Sequence, residues 1–396
     1  MKIIKNLLLV ISSTFFIFYL LEFFLLYSSG FKFFNDYDYR TDIEIYNSDK
    51  NSFLRTDTLK YILSPKYGII PLSGPAKKKI IMCNEGGFWA QYQSDRYGFN
   101  NPDLIYDSKI FDFVLVGDSF TEGACVNEND TISANLRKIS NKNVINIGRG
   151  GTAALSHLAL LREYLPFETK RIIWIYYEND IIDLEFEMQS KLLVEYLTNK
   201  KFSQELKGKQ YLIDQINLEE HNKLIKTLNK NDRVSSILRI YGTFNTDKFS
   251  YIKLYTLRNF LRERYLENSK IKEREREEIL KFDKNFHNFK KIIKNANELA
   301  LNNNIKFYFV YLSSRPKYAA KYDGENYKKV INLIEEFNIP IIDMHKFFKE
   351  HKDPLSMFPF RRQLHYNEIG YRFVANKIYQ FVIEYEKNSI NINFKN

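Results

Sequence analysis

The 396-residue sequence is poor in cysteine, proline and glycine, with two, nine and fifteen residues of each. Two cysteines are too few for a disulfide scaffold or for a four-cysteine zinc module. The low glycine and proline content excludes a collagen-like or proline-rich filament. In contrast, the chain contains 33 phenylalanines and 28 tyrosines, and 44% of its residues are hydrophobic. This composition excludes a disordered chain and provides enough apolar side chains for a large core.

Basic residues outnumber acidic residues, with 59 Lys and Arg against 48 Asp and Glu, and the formal net charge is +11. Such an excess is typical of proteins that bind nucleic acid or an anionic membrane. It is equally typical of a lysine-rich composition spread over helix surfaces. The sequence contains no dense basic block, which favours the second interpretation.

A long apolar run lies close to the amino terminus. Lys2 and Lys5 precede Leu7–Tyr27, a segment that would extend about 31 Å as a helix, the thickness of the hydrocarbon layer of a bilayer. The run is too long for a cleaved signal peptide and lacks a small-residue cleavage site, and the two lysines favour a cytoplasmic amino terminus. We therefore expect a single-pass anchor in the cell membrane, with the residues after 30 on the periplasmic or extracytoplasmic side. Nucleic acid is not an expected partner there.

The two cysteines, Cys83 and Cys125, would then face an oxidising compartment if the chain belongs to a typical bacterial envelope. A disulfide between them is one expectation in such a compartment. Two unpaired, buried thiols are the alternative, because the sequence alone does not show whether the two residues meet.

Five short apolar runs, separated by segments of helical periodicity, predict a doubly wound α/β domain with a parallel sheet. The predicted strands are Phe113–Gly117, Val144–Ile147, Ile172–Tyr177, Lys306–Leu312 and Pro340–Asp343. The predicted helices are Ile132–Ser140, Thr152–Tyr164, Phe289–Leu301, Glu325–Glu336 and Asn367–Tyr385.

These elements divide the chain into five parts. The predicted parts are 1–30 as the amino terminus and anchor, 31–107 as a lead-in region, 108–183 with 285–388 as the α/β domain, 184–284 as a charged helical insertion, and 389–396 as a tail. Within the insertion, Arg262–Glu278 predicts a highly charged helix. The insertion is interpreted as a solvated helical bundle, and a lid or partner-docking surface is the alternative.

Polar and small residues follow the first three predicted strands. Ser119 comes after the first strand in a Gly-Asp-Ser sequence, Gly148–Gly151 follows the second strand, and Asn179 follows the third. His365 lies just before the last predicted helix. Because the carboxyl ends of parallel strands meet at one edge of a sheet, we expect these groups to lie together. A serine, a histidine and several N–H donors are what acyl transfer requires.

These four blocks, in this order, resemble the SGNH/GDSL hydrolase superfamily. The resemblance covers the two α/β pieces and implies a five-stranded parallel sheet of flavodoxin-like strand order. It also implies that Ser119 is the nucleophile and His365 the base. The oxyanion hole would consist of the N–H groups of Ser119 and Gly151 and the side chain of Asn179.

The segment Ser94–Asn101 is similar to one found in membrane-anchored envelope members of this superfamily. Such members often occur beside polysaccharide or cell-envelope O-acylation machinery. The implied partners are an acylated or acyl-accepting glycan or lipid-linked sugar, the membrane, and a multi-pass membrane O-acyltransferase.

Two positions depart from the family pattern. Tyr177 replaces a common glycine in the third block, and Arg362 stands where the family has the Asp that orients the histidine. Loss of that Asp in a serine protease costs about 10⁴ in kcat. Asp353, Glu368 or backbone carbonyl groups could replace it, which would give a rearranged triad. A Ser-His dyad without a carboxylate is the other expectation.

The leading hypothesis is a membrane-anchored serine acyl-ester enzyme, either an esterase or deacetylase or an O-acyltransferase. The alternative is a catalytically degenerate SGNH-fold protein that binds or scaffolds in an envelope glycan assembly system. The sequence contains no metal-ligand spacing such as His-Glu-Xaa-Xaa-His and no phosphate-binding P-loop, so we expect no metal and no cofactor. The other histidines are expected to be structural or surface residues; they are His157, His221, His287, His345 and His351.

Overall fold

The computed structural model describes residues 2–28, 38, 40–56, 58–238, 254, 257–258, 261, 268–319 and 325–393. The strands are β1 (Phe53–Leu54), β2 (Lys79–Ile81), β3 (Gln91–Gln93), β4 (Phe113–Gly117), β5 (Val144–Asn146), β6 (Arg171–Tyr176), β7 (Lys306–Tyr311) and β8 (Ile341–Asp343). The α-helices are α1 (Lys2–Ser28), α2 (Asp42–Ser48), α3 (Ser119–Glu122), α4 (Ile132–Ser140), α5 (Ala154–Tyr164), α6 (Asn179–Ile182), α7 (Leu184–Glu187), α8 (Lys191–Thr198), α9 (Gln210–Leu238), α10 (Asn268–Asn302), α11 (Pro316–Ala319), α12 (Glu325–Glu336), α13 (Met344–Glu350) and α14 (Glu368–Asn393).

The main sheet contains five parallel strands in the order β5-β4-β6-β7-β8. Counted within the sheet, this is the flavodoxin-like order 2-1-3-4-5, which confirms the predicted fold. β4 lies between β5 and β6, so the direction of winding reverses beside it. In open α/β sheets, ligands bind at this switch point, outside the carboxyl ends of the strands. The residues after β4 therefore occupy the expected position of a site.

Alternating side chains of the central strands form two hydrophobic layers, one on each face of the sheet. Val114 and Trp174 belong to the layer that includes residues of α5 and α10. Leu115 and Ile173 belong to the layer that includes residues of α4 and α14. Burial on both faces explains why these strands are continuous apolar runs in the sequence. The sheet edge that carries the site thus rests on a rigid core.

The lead-in region forms a small sheet of its own. β1 pairs with β2 in parallel, and β2 pairs with β3 in antiparallel orientation. Downstream of this sheet, the side chain of Asn101 donates to the Asn146 carbonyl at 2.8 Å and accepts from the Asn146 N–H at 2.9 Å. Asn146 belongs to β5, one of the two edge strands of the main sheet, so the lead-in is hydrogen-bonded to that strand.

The insertion 184–284 is helical in its described parts. The predicted helix Arg262–Glu278 lies partly outside the described residues: residues 262–267 are not described, and α10 begins at Asn268. α10 then continues without interruption through Asn302 and includes the predicted domain helix. Tyr196 of α8 is fully buried in the same layer as α5. The insertion therefore contributes to the core of the domain. At the carboxyl end, α14 continues through most of the predicted tail, and residues 394–396 lie outside the described part.

The amino-terminal helix α1 contains a stretch from Ile4 to Leu25 with a mean hydropathy of 2.2. Among the described residues, it is the one helix long and apolar enough, by length and composition, to cross a membrane. Most of its large apolar side chains are exposed, whereas Glu22 is 1% exposed and accepts a hydrogen bond from the Leu257 N–H. An exposed apolar helix of this length is what a membrane anchor would present.

Candidate active site

Ser119 is the first residue of α3 and follows β4 directly. Asp118 caps the helix, because its Oδ1 accepts a hydrogen bond from the Phe120 N–H at 2.9 Å. The turn requires glycine at position 117, since a Cβ there would clash with the Thr121 hydroxyl and a backbone oxygen of β6. The sharp strand-to-helix turn places the Ser119 hydroxyl at the carboxyl edge of the sheet.

Ser119 and His365 are in direct contact: the Ser119 Oγ lies 2.9 Å from the His365 Nε2. This is the distance expected between a nucleophile and its general base. The His365 ring packs against Phe120, with ring centroids 4.9 Å apart. Tyr177 is buried, and its ring centroid lies 4.3 Å from that of Phe120. Aromatic packing therefore supports both Ser119 and His365.

The other nitrogen of His365 pairs with a carboxylate from the lead-in region. The His365 Nδ1 lies 2.8 Å from the Glu85 Oε1, and the His365 backbone N–H donates to the Glu85 Oε2 at 2.9 Å. The carboxylate accepts from Nδ1–H, so the lone pair of Nε2 faces the Ser119 hydroxyl. Two hydrogen bonds to one carboxylate fix both the tautomer and the orientation of the ring.

The Glu85 carboxylate is held in its charged form. Burial raises the pKa of Glu85. This effect is outweighed by the hydrogen bond from the His365 side chain, by the attraction to that ring, and by the backbone N–H groups of His365 and Leu364. The resulting pKa lies below the usual value for glutamate. Glu85 is therefore an anion at neutral pH and can stabilise a protonated histidine.

Asp353 and Glu368, the predicted replacements for the family's Asp, do not occupy this position. Asp353 forms a bidentate ion pair with Arg361, with both N–O distances at 2.7 Å. Glu368 is exposed at the start of α14. In the structure, the carboxylate that contacts His365 is that of Glu85, not that of Asp353 or Glu368. The sequence analysis did not identify Glu85. Glu85 and His365 are 280 positions apart, and no local pattern connects them.

Cys83 and Cys125 form a disulfide beside this pair, with their Cα atoms 5.0 Å apart. The Cys125 Sγ lies 3.8 Å from the His365 Nδ1, and Cys83 is two residues before Glu85. The ligand atoms of Glu85, Cys125 and His365 lie within 4.8 Å of one another, the spacing of a metal site. A disulfide sulfur is not a thiolate and does not ligate a metal in that way. The cluster is therefore better suited to orienting the histidine.

The predicted oxyanion donors lie on the loops beyond β4, β5 and β6. Gly151 is exposed, with a φ of 82°. Among the described residues, none accepts a hydrogen bond from the N–H of Ser119 or Gly151. Asn179 begins α6, and its Nδ2 donates to the Asp183 Oδ2 at 2.8 Å. An amide has two N–H groups, so this bond uses one of the two.

A buried carboxylate, Glu122, holds the loop that follows β5. Its oxygens accept hydrogen bonds from the Gly150 N–H at 2.7 Å and the Tyr92 hydroxyl at 3.1 Å. They also pair with Arg55 at 3.2 Å and Arg149 at 3.3 Å. Burial raises the pKa of Glu122, but the two guanidinium groups, followed by these hydrogen bonds, bring it below its usual value. Tyr92 and Arg55 come from the lead-in, which the sequence analysis did not connect with the site.

Two buried carboxyl groups, Asp118 and Asp180, interact with each other next to Ser119. The Asp118 Oδ2 is 3.5 Å from the Ser119 Oγ, and burial raises the pKa of Asp118 to about 6. Burial and the charge of Asp118 raise the pKa of Asp180 well above its usual value. Two buried carboxyl groups that interact do not both ionise readily. Nearby, burial lowers the pKa of His157 to about 3, so this histidine is neutral, as expected for a structural residue.

Neither a protein-family model nor a curated protein matches the sequence. A solved structure named as a lipolytic protein of the G-D-S-L family, from Desulfitobacterium hafniense DCB-2, is similar to the chain at 14% identity. The similarity covers 68% of this chain and 98% of that one, with a TM-score of 0.35. A likeness at this level assigns no role to any residue, so the interpretation of the site depends on the geometry described above.

Proposed function

We propose that the protein is a membrane-anchored serine acyl-ester enzyme, an esterase or deacetylase or an O-acyltransferase of SGNH type. The observation that carries the proposal is the continuous hydrogen-bonded series from the Ser119 Oγ through both ring nitrogens of His365 to the Glu85 carboxylate. A nucleophile, a base and a group that orients the base, in contact in this order, form a catalytic triad by geometry and role.

In the proposed reaction, the Ser119 Oγ attacks the carbonyl carbon of an ester while the His365 Nε2 takes the hydroxyl proton. The charge that develops on the carbonyl oxygen is stabilised by the N–H groups of Ser119 and Gly151 and by the Asn179 amide. Glu85 stabilises the imidazolium, which then donates its proton to the departing alkoxide. An acyl group remains on Ser119, and His365 is again neutral.

The second half of the reaction needs an acceptor hydroxyl, which His365 deprotonates as it attacks the carbonyl carbon of the acyl-enzyme. The bond between that carbon and the Ser119 Oγ then breaks, and His365 returns the proton to the Ser119 oxygen. Water as the acceptor gives hydrolysis, and a sugar hydroxyl gives O-acyl transfer. The apolar helix α1 supports a location at the cell membrane, with the site on the periplasmic or extracytoplasmic side. There, an exported glycan or a lipid-linked sugar is the proposed substrate, and a multi-pass membrane O-acyltransferase is the proposed partner.

The alternative of a degenerate scaffold protein rested on the missing Asp at Arg362 and on the long insertion. Glu85 supplies a carboxylate to the Nδ1 of His365, so the first argument no longer applies. The insertion remains as support for a scaffold role.

A fluorophosphonate probe tests the proposal on the full-length protein in detergent micelles. We expect stoichiometric labelling of Ser119, identified by peptide mass spectrometry, and none in Ser119→Ala. Ser108→Ala, which removes a loop serine before β4, serves as the matched control and should be labelled as the wild type is. A folded wild-type protein that shows no label on Ser119 would exclude the acyl-enzyme mechanism.

A further inference from the structure

The segment that carries Glu85 is covalently joined to the segment that carries Ser119. We infer that the Cys83–Cys125 disulfide positions the Glu85 carboxylate on His365, and that full activity requires this bond. The inference rests on the proposed function and extends it, because it assigns a positioning role to two side chains that do not take part in the acyl transfer itself.

Glu85 lies on a loop that connects β2 to β3. Hydrogen bonds close the base of this loop: the Met82 N–H donates to the Ala90 carbonyl at 2.9 Å, and the Ala90 N–H donates to the Cys83 carbonyl at 3.0 Å. The Asn84 side chain donates to the Asp38 carbonyl at 2.7 Å, again within the lead-in. These bonds fix the loop to its own region, whereas Glu85 and Cys83 reach across to the α/β domain.

The ion pair between Glu85 and His365 is one restraint on this loop. Its side chains retain 19% and 13% exposure, so solvent has some access to the pair. The attraction also changes during turnover, since His365 alternates between a neutral and a cationic ring. A disulfide restrains the loop equally in both states.

At its other end, the disulfide is attached to a rigid part of the nucleophile segment. Cys125 is buried, and the preceding residue, Ala124, donates its N–H to the Ser119 carbonyl at 2.9 Å. The Ala124 carbonyl accepts a hydrogen bond from the Tyr371 hydroxyl of α14 at 3.0 Å. α14 begins shortly after His365, so Cys125 is fixed relative to both the nucleophile and the base. The disulfide therefore also restrains the loop that carries Glu85.

Reduction tests the inference directly, because the chain contains two cysteines and both are in this bond. Dithiothreitol would pass two electrons and two protons to the disulfide, giving two thiols and its own cyclic disulfide. We would measure hydrolysis of p-nitrophenyl acetate by the full-length protein in detergent micelles. Reduction should lower kcat/KM about 10²-fold, the effect of a displacement of about 1 Å, and reoxidation should restore it. The acidic limb should also move to lower pH, because a displaced carboxylate no longer stabilises the imidazolium.

The Glu85→Gln variant shows whether the disulfide acts through the carboxylate. In that background, reduction should lower kcat/KM by less than about threefold. The carboxylate that the disulfide positions is already absent, and the effects of two changes at coupled sites do not add. The double variant Cys83→Ser/Cys125→Ser should resemble the reduced wild type and should not respond to dithiothreitol. Circular dichroism at the assay temperature identifies any unfolded sample, and reduced wild type replaces the double variant if that variant does not fold. Full activity after reduction, or an undiminished loss in Glu85→Gln, would overturn the inference.

A readout without turnover separates this inference from the proposed function. The proton between the His365 Nδ1 and Glu85 should give a low-field proton resonance that is absent in His365→Asn and Glu85→Gln. We expect the resonance in the oxidised protein and its loss on reduction. A resonance that persists after reduction would contradict the positioning role. If the resonance disappears on reduction but the fluorophosphonate probe does not label Ser119, the positioning role is supported and the acyl-enzyme mechanism is excluded.

Discussion

The α/β domain and the lead-in region contribute to the site in different ways. The domain provides Ser119 and His365 from positions next to buried elements, and two continuous hydrophobic layers hold those elements. The lead-in provides Glu85 and Arg55 from loops and short strands whose own apolar clusters contain three buried residues each. The lead-in also buries apolar side chains in one of these layers, namely Leu59, Ile62, Ile69, Ile70, Leu72, Phe99 and Ile105. A disulfide, paired amides and the ion pair between Arg55 and Glu122 add specific bonds to this contact. Ser119 and His365 thus lie next to elements of the α/β core, whereas Glu85 and Arg55 come from loops and short strands of the attached region.

The largest expected effect is on the domain side of this comparison. Ser119→Ala should lower kcat for ester turnover by about 10⁶, because the acyl-enzyme cannot form. The melting temperature should stay close to that of the wild type, since this hydroxyl adds little to the core. Kinetic assays with the purified variant, followed by a thermal melt, check both statements. Residual activity above a tenth of the wild type would contradict the assignment of the nucleophile.

The corresponding change on the lead-in side is Glu85→Gln. It should lower kcat by about 10⁴, the cost of losing the carboxylate that orients the histidine of a serine protease. The pKa of Glu85 lies below its usual value, so the wild-type carboxylate stays charged across the acidic limb. Without this charge the imidazolium is less stable, so the acidic limb of kcat/KM should move to lower pH in the variant.

Asp353→Asn is the matched control for that experiment, because it removes a carboxylate that pairs with Arg361. We expect its kcat to remain within about threefold of the wild type, as for other exposed ion pairs. A large loss of kcat in Asp353→Asn together with a small loss in Glu85→Gln would indicate that Asp353, not Glu85, orients His365.

A smaller effect is expected at the third strand. Asn179→Ala should lower kcat by about 10²–10³, the usual cost of one oxyanion donor, with little change in KM. Steady-state kinetics with p-nitrophenyl acetate separate the two parameters. If the change appears in KM alone, Asn179 binds the substrate without stabilising the transition state.

The smallest effect is expected at the position where the family has its Asp. Arg362→Asp places a second carboxylate near a histidine that already has one, and Arg362 is exposed. We expect kcat/KM to remain within about threefold of the wild type, since the Glu85 carboxylate already occupies the Nδ1 of His365. A marked increase in kcat/KM would mean that Glu85 does not complete the triad in solution.

The sequence predicted the sheet well, because strands buried on both faces form apolar runs that stand out from their surroundings. The third strand, for example, was predicted at Ile172–Tyr177 and is observed at Arg171–Tyr176. The contact between Ser119 and His365 could be predicted for a related reason, because each residue lies next to a strand or helix that the sequence pattern indicates. Their contact at 2.9 Å follows from the topology of those elements.

Glu85 could not be predicted in the same way. Its loop has no periodicity, and its partner is 280 positions away. One signal did exist: Cys83 is two residues before Glu85, and Cys125 is six residues after Ser119. A disulfide between them brings the residues around Cys83 close to Ser119. A prediction of this disulfide would therefore have made Glu85 a candidate for the third residue.

The order of the three residues along the chain has a consequence for biogenesis. Glu85 and Ser119 precede His365 by 280 and 246 positions. A ribosome that has completed the lead-in and the first strands has therefore produced a nucleophile without its base. If the residues after the anchor cross the membrane in the order of their synthesis, the series Ser119–His365–Glu85 cannot assemble until residue 365 has crossed. Chains that end before His365 would then lack the proposed base, and the proposed acyl chemistry would be confined to the compartment that the α/β domain reaches.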